Sequence, residues 1–164
     1  GNPETRTYGG YTGSNVVHED YVVKIPEGMD LSLTSPILCA GITMYSPLKH
    51  FGPKDDKKIT VGVIGVGGLG TMGIKLAKAL GHTVMAISTS ANKEQMAKDK
   101  GADLFCVSKD EESMKKHAKT CDLILNTVSA PHQVGTYFPL MKKNASFKNN
   151  FYHNLEYKLF NTSR

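Results

Sequence analysis

The amino-acid sequence predicts an α/β fold built on a parallel sheet, and three observations carry that prediction. Short apolar, β-branched runs alternate with amphipathic stretches of helical length from residue 59 to residue 142. The runs are continuous, as in strands buried on both faces, rather than alternating, as in half-exposed ones. A glycine-rich turn, Gly65 to Gly70, joins the first run to the first amphipathic stretch.

The elements follow in chain order. From Tyr8 to Pro26 the chain is glycine-rich and then alternates, with Tyr21, Val23 and Ile25 on one face, which predicts β-structure closed by a turn at Pro26-Glu27-Gly28. Pro36 and Pro47 punctuate the apolar run Leu31 to Gly52 and predict two short helices instead of one long one. Gly52 to Lys58 is a polar connector. Strands are expected at Ile59 to Ile64, Thr83 to Ser88, Leu104 to Val107 and Asp122 to Val128. Between them, Leu69, Met72, Leu76 and Leu80 recur at helical spacing until Gly81, and further helices are expected at Ala91 to Lys100, Glu111 to Lys119 and Gln133 to Lys142. Such alternation implies right-handed crossovers. After Lys143 the residues ASFKNNFYHNLEYKLFNTSR offer no continuous apolar run, so the sheet is expected to stop there.

Composition narrows the function. With 40% apolar and 21% charged residues in 164, the chain reads as a folded domain with a real core. The formal charge of +5 suits an anionic ligand, but no arginine-rich block or RNA-binding aromatic motif appears, and nucleic acid is not an expected partner. Cys39, Cys106 and Cys121 are odd in number and far apart, which points to a reducing compartment, the cytoplasm. No stretch of about 20 apolar residues is evident and the opening residues lack a leader pattern, so no membrane association is expected.

The turn GVGGLG, Gly65 to Gly70, satisfies G-x-G-x-x-G with a buried strand before it and an amphipathic helix after it. Gly65 permits the tight turn, Gly67 lets backbone approach a pyrophosphate, and Gly70 allows helix and strand to pack closely. Gly68 and Leu69 lie at the helix start, whose free N–H groups and partial positive charge suit an anion. The dinucleotide is selected at the end of the second strand, where an acid would bind the ribose 2′-hydroxyl of NAD. Here stand Ser88, Thr89 and Ser90, with no acid before Glu94, and then Lys93 in the first helical turn. Hydroxyls and a lysine accommodate a 2′-phosphate, which favours NADP(H). The alternative is that Ser90 caps a helix and Lys93 is a solvated surface cation.

These residues resemble the cinnamyl-alcohol-dehydrogenase-like branch of medium-chain, zinc-dependent alcohol dehydrogenases. The segments that carry the resemblance are YGGYTGSNVVHEDYVVKIPEG, PILCAGITMYSPLKHFG, VGVIGVGGLGTMGIKLAKALGHTV, ISTSANKEQMAKDKGAD and DLILNTVSAPH, in the family's order and spacing. The resemblance implies NADP(H)-dependent interconversion of alcohols and aldehydes at a catalytic zinc, in a parent enzyme expected to be a homodimer. It makes residues 1–30 a remnant of a β-rich substrate domain, 31–143 an incomplete Rossmann-like NADP-binding domain, and 144–164 an atypical, poorly ordered tail. Cys39 matches the third catalytic zinc ligand, while Thr43, Thr127 and Val128 match positions that contact the nicotinamide half. On the residues alone, Cys39 reads as a small buried hydrophobe, Thr43 as a helix hydroxyl bonded to its own backbone, and Thr127 as a strand end.

The family's other zinc ligands and its proton-relay residues are not in the sequence, so the chain is expected to be incomplete for catalysis and inactive alone. Cys106 and Cys121 read as inert buried thiols, and none of the six histidines shows paired metal spacing. Two alternatives stay open: a non-catalytic NADP(H)-binding module, and a zinc-independent medium-chain reductase.

Overall fold

The computed structural model describes residues 9–55 and 57–150, and the backbone of 156–158. The chain forms two compact units, Gly1–Thr34 and Ser35–Arg164.

In the first unit the described residues form single 3-10 turns at Gly9–Tyr11 and Glu19–Tyr21 and no strand. The β-structure expected from Tyr8 onward is therefore not formed, Tyr8 itself lying outside the described residues. Val22 is extended, but no partner strand among the described residues offers it a ladder, and Tyr21 and Val23 are exposed. A strand is stabilised through its neighbours, so alternation alone does not make one. The expected turn is present: the N–H of Met29 donates to the Pro26 carbonyl at 3.4 Å, and Gly28 supplies a φ of +83°.

Helix α1 (Leu31–Pro36) passes through a π-helical turn, Ile37–Gly41, directly into α2 (Ile42–Phe51). The two prolines thus do not separate two helices. Proline removes a helical donor and crowds the preceding turn; the wider π turn directly after Pro36 accommodates that misfit, and Pro47 is tolerated within α2. The run Leu31–Phe51 is 21 residues long and contains an 18-residue window of mean hydropathy 1.2, enough by length and composition to cross a membrane, where no such stretch was expected. Met44 and Leu48 from this run belong to the core of the second unit.

The second unit is a sheet of five parallel strands flanked by helices. In chain order come β1 (Thr60–Ile64), α3 (Gly68–Ala79), β2 (Thr83–Ser88), α4 (Glu94–Asp99), β3 (Leu104–Val107), α5 (Glu111–Lys116), β4 (Cys121–Asn126), β5 (Met141–Asn149) and a short β6 (Glu156–Lys158). The order across the sheet is β3-β2-β1-β4-β5-β6, and only the β5/β6 pair is antiparallel. Order reverses between β1 and β4, so the crevice at their C-terminal ends is the topological switch point where such sheets bind ligands. Alternate residues of the strands feed two cores. Val61, Val63, Leu123 and Leu125 pack with Met44, Leu48 and Ile74 on one face; Ile64, Ile87, Ile124 and Phe147 pack with Tyr137 and Leu140 on the other.

Two expectations near the end of the chain are corrected. Residues Gln133 to Lys142 do not form an α-helix but a 3-10 run, Val134–Leu140, followed at once by β5. The sheet does not stop at β4, because β5 pairs with it along Leu123↔Ser146 to Asn126↔Asn149. The polar residues that argued against a strand have specific places: Lys142, Lys143 and Asn144 are exposed in a register irregularity between the pairs Cys121↔Met141 and Leu123↔Ser146. Beyond it Ala145, Phe147 and Asn149 are buried, and the Lys148 ammonium lies 5.5 Å from the centre of the Phe51 ring, a cation–π contact. The expectation of a poorly ordered tail otherwise falls, beyond 150, outside the described residues apart from the backbone of β6.

Candidate functional site

The switch-point crevice is a cleft of about 210 Å³ between the β1–α3 turn, the end of β2 and the segment after β4. Gly65 leaves β1 with a φ of +93°, which an L side chain rarely adopts. A Cβ at Gly70 would lie 1.8 Å from the Gly65 carbonyl oxygen, so the first turn of α3 is pressed onto the strand end and only glycine fits. A Cβ on Gly67 or Gly68, in contrast, would meet nothing within 4 Å. Gly67 precedes the first residue of α3 with no side-chain cap, and the first intrahelical bond runs from the Thr71 N–H to the Gly67 carbonyl at 2.8 Å. The N–H groups of Gly68, Leu69 and Gly70 therefore have no partner within the helix, the arrangement that receives an anion.

The end of β2 supplies the opposite lip. Ser88 is buried, its hydroxyl oxygen accepting from the Ser90 N–H at 3.3 Å, and both Ser88 and Thr89 line the cleft. Ser90 precedes a short 3-10 turn, Ala91–Lys93, without capping it, and its hydroxyl donates to Asn92 instead. Lys93 is exposed, yet it lines the cleft and its ammonium donates to the Val66 carbonyl at 3.4 Å, bridging from the second βα connection to the glycine turn.

The third wall follows β4. The Thr127 hydroxyl donates to the Ile64 carbonyl at 2.7 Å and also reaches that of Gly65 at 3.3 Å, so it fastens the end of β1 to the end of β4. Val128, His132 and Tyr137 line the cleft beyond it. The last two were not singled out in the sequence, because neither has a spacing signal; only the fold brings them to the glycine turn.

The remaining sequence-predicted residues lie elsewhere. Thr43 is bonded to its own helix, its hydroxyl donating to the Cys39 carbonyl at 2.7 Å, and neither it nor Cys39 lines the cleft. Cys39 is exposed, contrary to its reading as a buried hydrophobe. Among the described residues no group of three His, Cys, Asp or Glu side chains is placed to hold a metal ion. Burial pushes the Cys106 thiol up, and burial together with the neighbouring Asp122 pushes Cys121 up to about 12, so both are protonated and unreactive near neutrality.

Comparison with known proteins places this geometry. Residues 68–148 match the zinc-binding dehydrogenase family. A probable mannitol dehydrogenase from Medicago sativa is 51% identical over 141 residues, a match covering 85% of this chain and 39% of that protein. Among solved structures, a cinnamyl alcohol dehydrogenase from Sorghum bicolor superposes with a TM-score of 0.74 at 41% identity, over 82% of this chain and 39% of the other. An enzyme of the same name from Helicobacter pylori, solved in complex with NADP(H), gives 0.70 at 34% identity, over 80% and 36%. The chain thus spans about two fifths of the length of the relatives it matches. The sheet order, the glycine turn at the switch point and these matches agree: residues 68–148 of this chain form a zinc-binding dehydrogenase domain.

Proposed function

We propose that the cleft binds NADP(H) and that the protein to which this sequence belongs interconverts alcohols and aldehydes. The observation that carries the cofactor reading is the cleft itself: Gly65 and Val66, which lead into the uncapped start of α3, together with Ser88, Thr89 and a Lys93 ammonium that reaches the Val66 carbonyl, and no carboxylate among the described lining residues. The pyrophosphate fits against Gly67 to Gly70, where the open side of Gly67 and Gly68 leaves room for it. A 2′-phosphate fits beside Lys93, which is held at the cleft by the Val66 carbonyl. NADP(H), when bound, supplies the hydride. The chain's own part is to hold that cofactor: the helix end neutralises the pyrophosphate charge, Lys93 selects the 2′-phosphate, and Thr127 keeps the two strand ends together beneath it. Thr127 acts by positioning the turn, and the nicotinamide contacts implied for Thr43 and Val128 are part of the same proposal.

The preference for NADPH is tested by replacing Lys93. A charge-assisted hydrogen bond contributes roughly 1.5–3 kcal/mol, about tenfold or more in affinity. Titrated by nucleotide fluorescence, Lys93→Ala is expected to weaken NADPH by that factor and leave NADH nearly unchanged; equal losses for both would refute the assignment.

The described residues do not by themselves fit a catalytic zinc. Cys39 is one thiolate, and a catalytic site needs three protein ligands. Cys39 as a zinc ligand belongs to the proposal for the whole enzyme. The 164-residue chain is expected to retain no stoichiometric zinc after dialysis, as metal analysis will read. One tightly held zinc lost in Cys39→Ser would show that further ligands exist. A second reading, a dinucleotide-binding module that stands alone, is favoured by one observation: β5 completes the five-strand parallel sheet and buries Phe147.

A further inference from the structure

One side-chain chain in the cleft is not accounted for by cofactor contacts. Asn126 ends β4 and is completely buried; Asn149 ends β5 and is buried beside it. The Asn126 amide is engaged on three sides. Its Nδ2 donates to Asn149 Oδ1 at 3.3 Å, the same nitrogen lies 3.1 Å from His132 Nε2, and its Oδ1 accepts from the Val128 N–H at 3.2 Å. The amide cannot be turned over without setting its NH2 group against the Val128 N–H. His132 Nε2 therefore faces a donor and must accept. Its other nitrogen, Nδ1, lies 2.7 Å from the Ala130 carbonyl oxygen, an acceptor, and must donate. Every partner selects one form of the ring: neutral, with its proton on Nδ1.

Building on the NADP(H) reading, we propose that Asn126 and His132 are positioning residues of the cofactor cleft, which together hold the segment 127–132 in its binding shape only while the imidazole is neutral. Val128 and His132 themselves line the cleft, so the network sets one of its walls. Protonation places an N–H at Nε2 against the Asn126 N–H, donor against donor. Asn126 cannot relieve this, being fixed from Asn149 and from the Val128 backbone, so the segment must move. The other titratable groups of the cleft are Lys93, on the opposite lip, and Tyr137, whose ring meets the His132 ring edge-on at 5.9 Å. No carboxylate lines the cleft among the described residues to stabilise a charged imidazole. The sign follows: the binding shape needs the unprotonated ring, so cofactor affinity is lost in acid, where a proton is added at Nε2.

The experiment is fluorescence titration of NADPH into the whole chain at about pH 8 and about pH 5.5, bracketing the ordinary histidine range. The wild type is expected to bind about tenfold more weakly at the acid pH, the loss of one hydrogen bond and the conflict that replaces it. In His132→Gln the side-chain oxygen can accept from Asn126 and does not titrate. Any acid weakening left in that variant belongs to the 2′-phosphate of NADPH, which itself gains a proton near pH 6. Asn126→Asp turns the donor into an acceptor and should make the acid pH the better of the two. In the nucleotide-free protein, long-range nitrogen-15 spectra of the His132 ring should show the Nδ1–H tautomer near pH 8, a readout that altered stability alone does not move. Parallel pH profiles in wild type and His132→Gln, or the Nε2–H tautomer, overturn this inference alone. Failure of the wild type to bind either nucleotide at about pH 8 overturns the cofactor reading and this inference with it.

Discussion

Gly70→Ala is expected to cost the second unit about 3 kcal/mol or more and to abolish dinucleotide binding, whereas Gly67→Ala is expected to abolish binding with the fold almost untouched. The difference lies in what each added methyl group meets. At Gly70 it would lie 1.8 Å from the Gly65 carbonyl oxygen and 3.0 Å from the Thr127 hydroxyl, so helix α3 must lift away from β1 or the strand end must give way. Overpacking a fitted core costs about 1–3 kcal/mol where flexible side chains can yield, and here the obstacle is backbone. At Gly67 the φ is −110°, open to any L residue, and the methyl group meets nothing within 4 Å, so stability should change by no more than about 0.5 kcal/mol. That methyl instead occupies the space that an incoming pyrophosphate requires. Urea titration together with NADPH titration separates the two effects. Unchanged nucleotide affinity in Gly67→Ala would remove the pyrophosphate from that turn.

The second large effect is expected at Phe147. Its side chain is 1% exposed in the middle of β5 and meets the Phe138 ring edge-on at 5.7 Å, inside the core shared by β1, β2 and β4. Truncating a buried phenylalanine to alanine costs about 3–5 kcal/mol, a large part of the stability of a small domain. Phe147→Ala should therefore lower the urea midpoint sharply. Hydrogen exchange of the wild type should protect Ala145 to Lys148 along with Ile64 and Ile87. Rapid exchange across Ala145 to Lys148 and a variant as stable as the wild type would mean that the sheet ends at β4.

Where the sequence was legible, the physics was local. The strands β1 to β4 are continuous apolar runs, the helix after the glycine turn carries an apolar stripe, and Gly65 and Gly70 stand where a positive φ and a near-contact of backbones require glycine. Strand boundaries moved by only a residue or two, as in β4, Cys121 to Asn126 against an expected Asp122 to Val128, whereas α4 starts three residues after the expected Ala91 and α5 ends three before the expected Lys119. What escaped the reading was non-local. The strand β5 owes its place to pairing with β4 and to one deeply buried ring, and its lysines are accommodated by an irregularity and by Phe51, none of which is visible in a residue window. Similarly, alternation near Tyr21 predicted a strand that had no neighbour to pair with among the described residues. In the site, Ser88, Thr89 and Lys93 were found because a known fold puts a selector about 20 residues after the glycine turn. His132 and Asn149 were missed: Asn149 reaches Asn126 only through the pairing of β5 with β4, and His132 reaches it through an irregular loop whose fold no residue spacing encodes.

The irregularity in β5 also gives the strand slack. Its register is fixed on one side by Cys121↔Met141 and on the other by Leu123↔Ser146, and the intervening Lys142, Lys143 and Asn144 are exposed, Asn144 with a φ of +65°. Residues added or removed within that bow change its arc without sliding Phe147 out of the core or Asn149 away from Asn126. Chain length can therefore drift at this one point of the sheet during divergence, while the same change within β1 or β4 would turn every inward side chain to the opposite face.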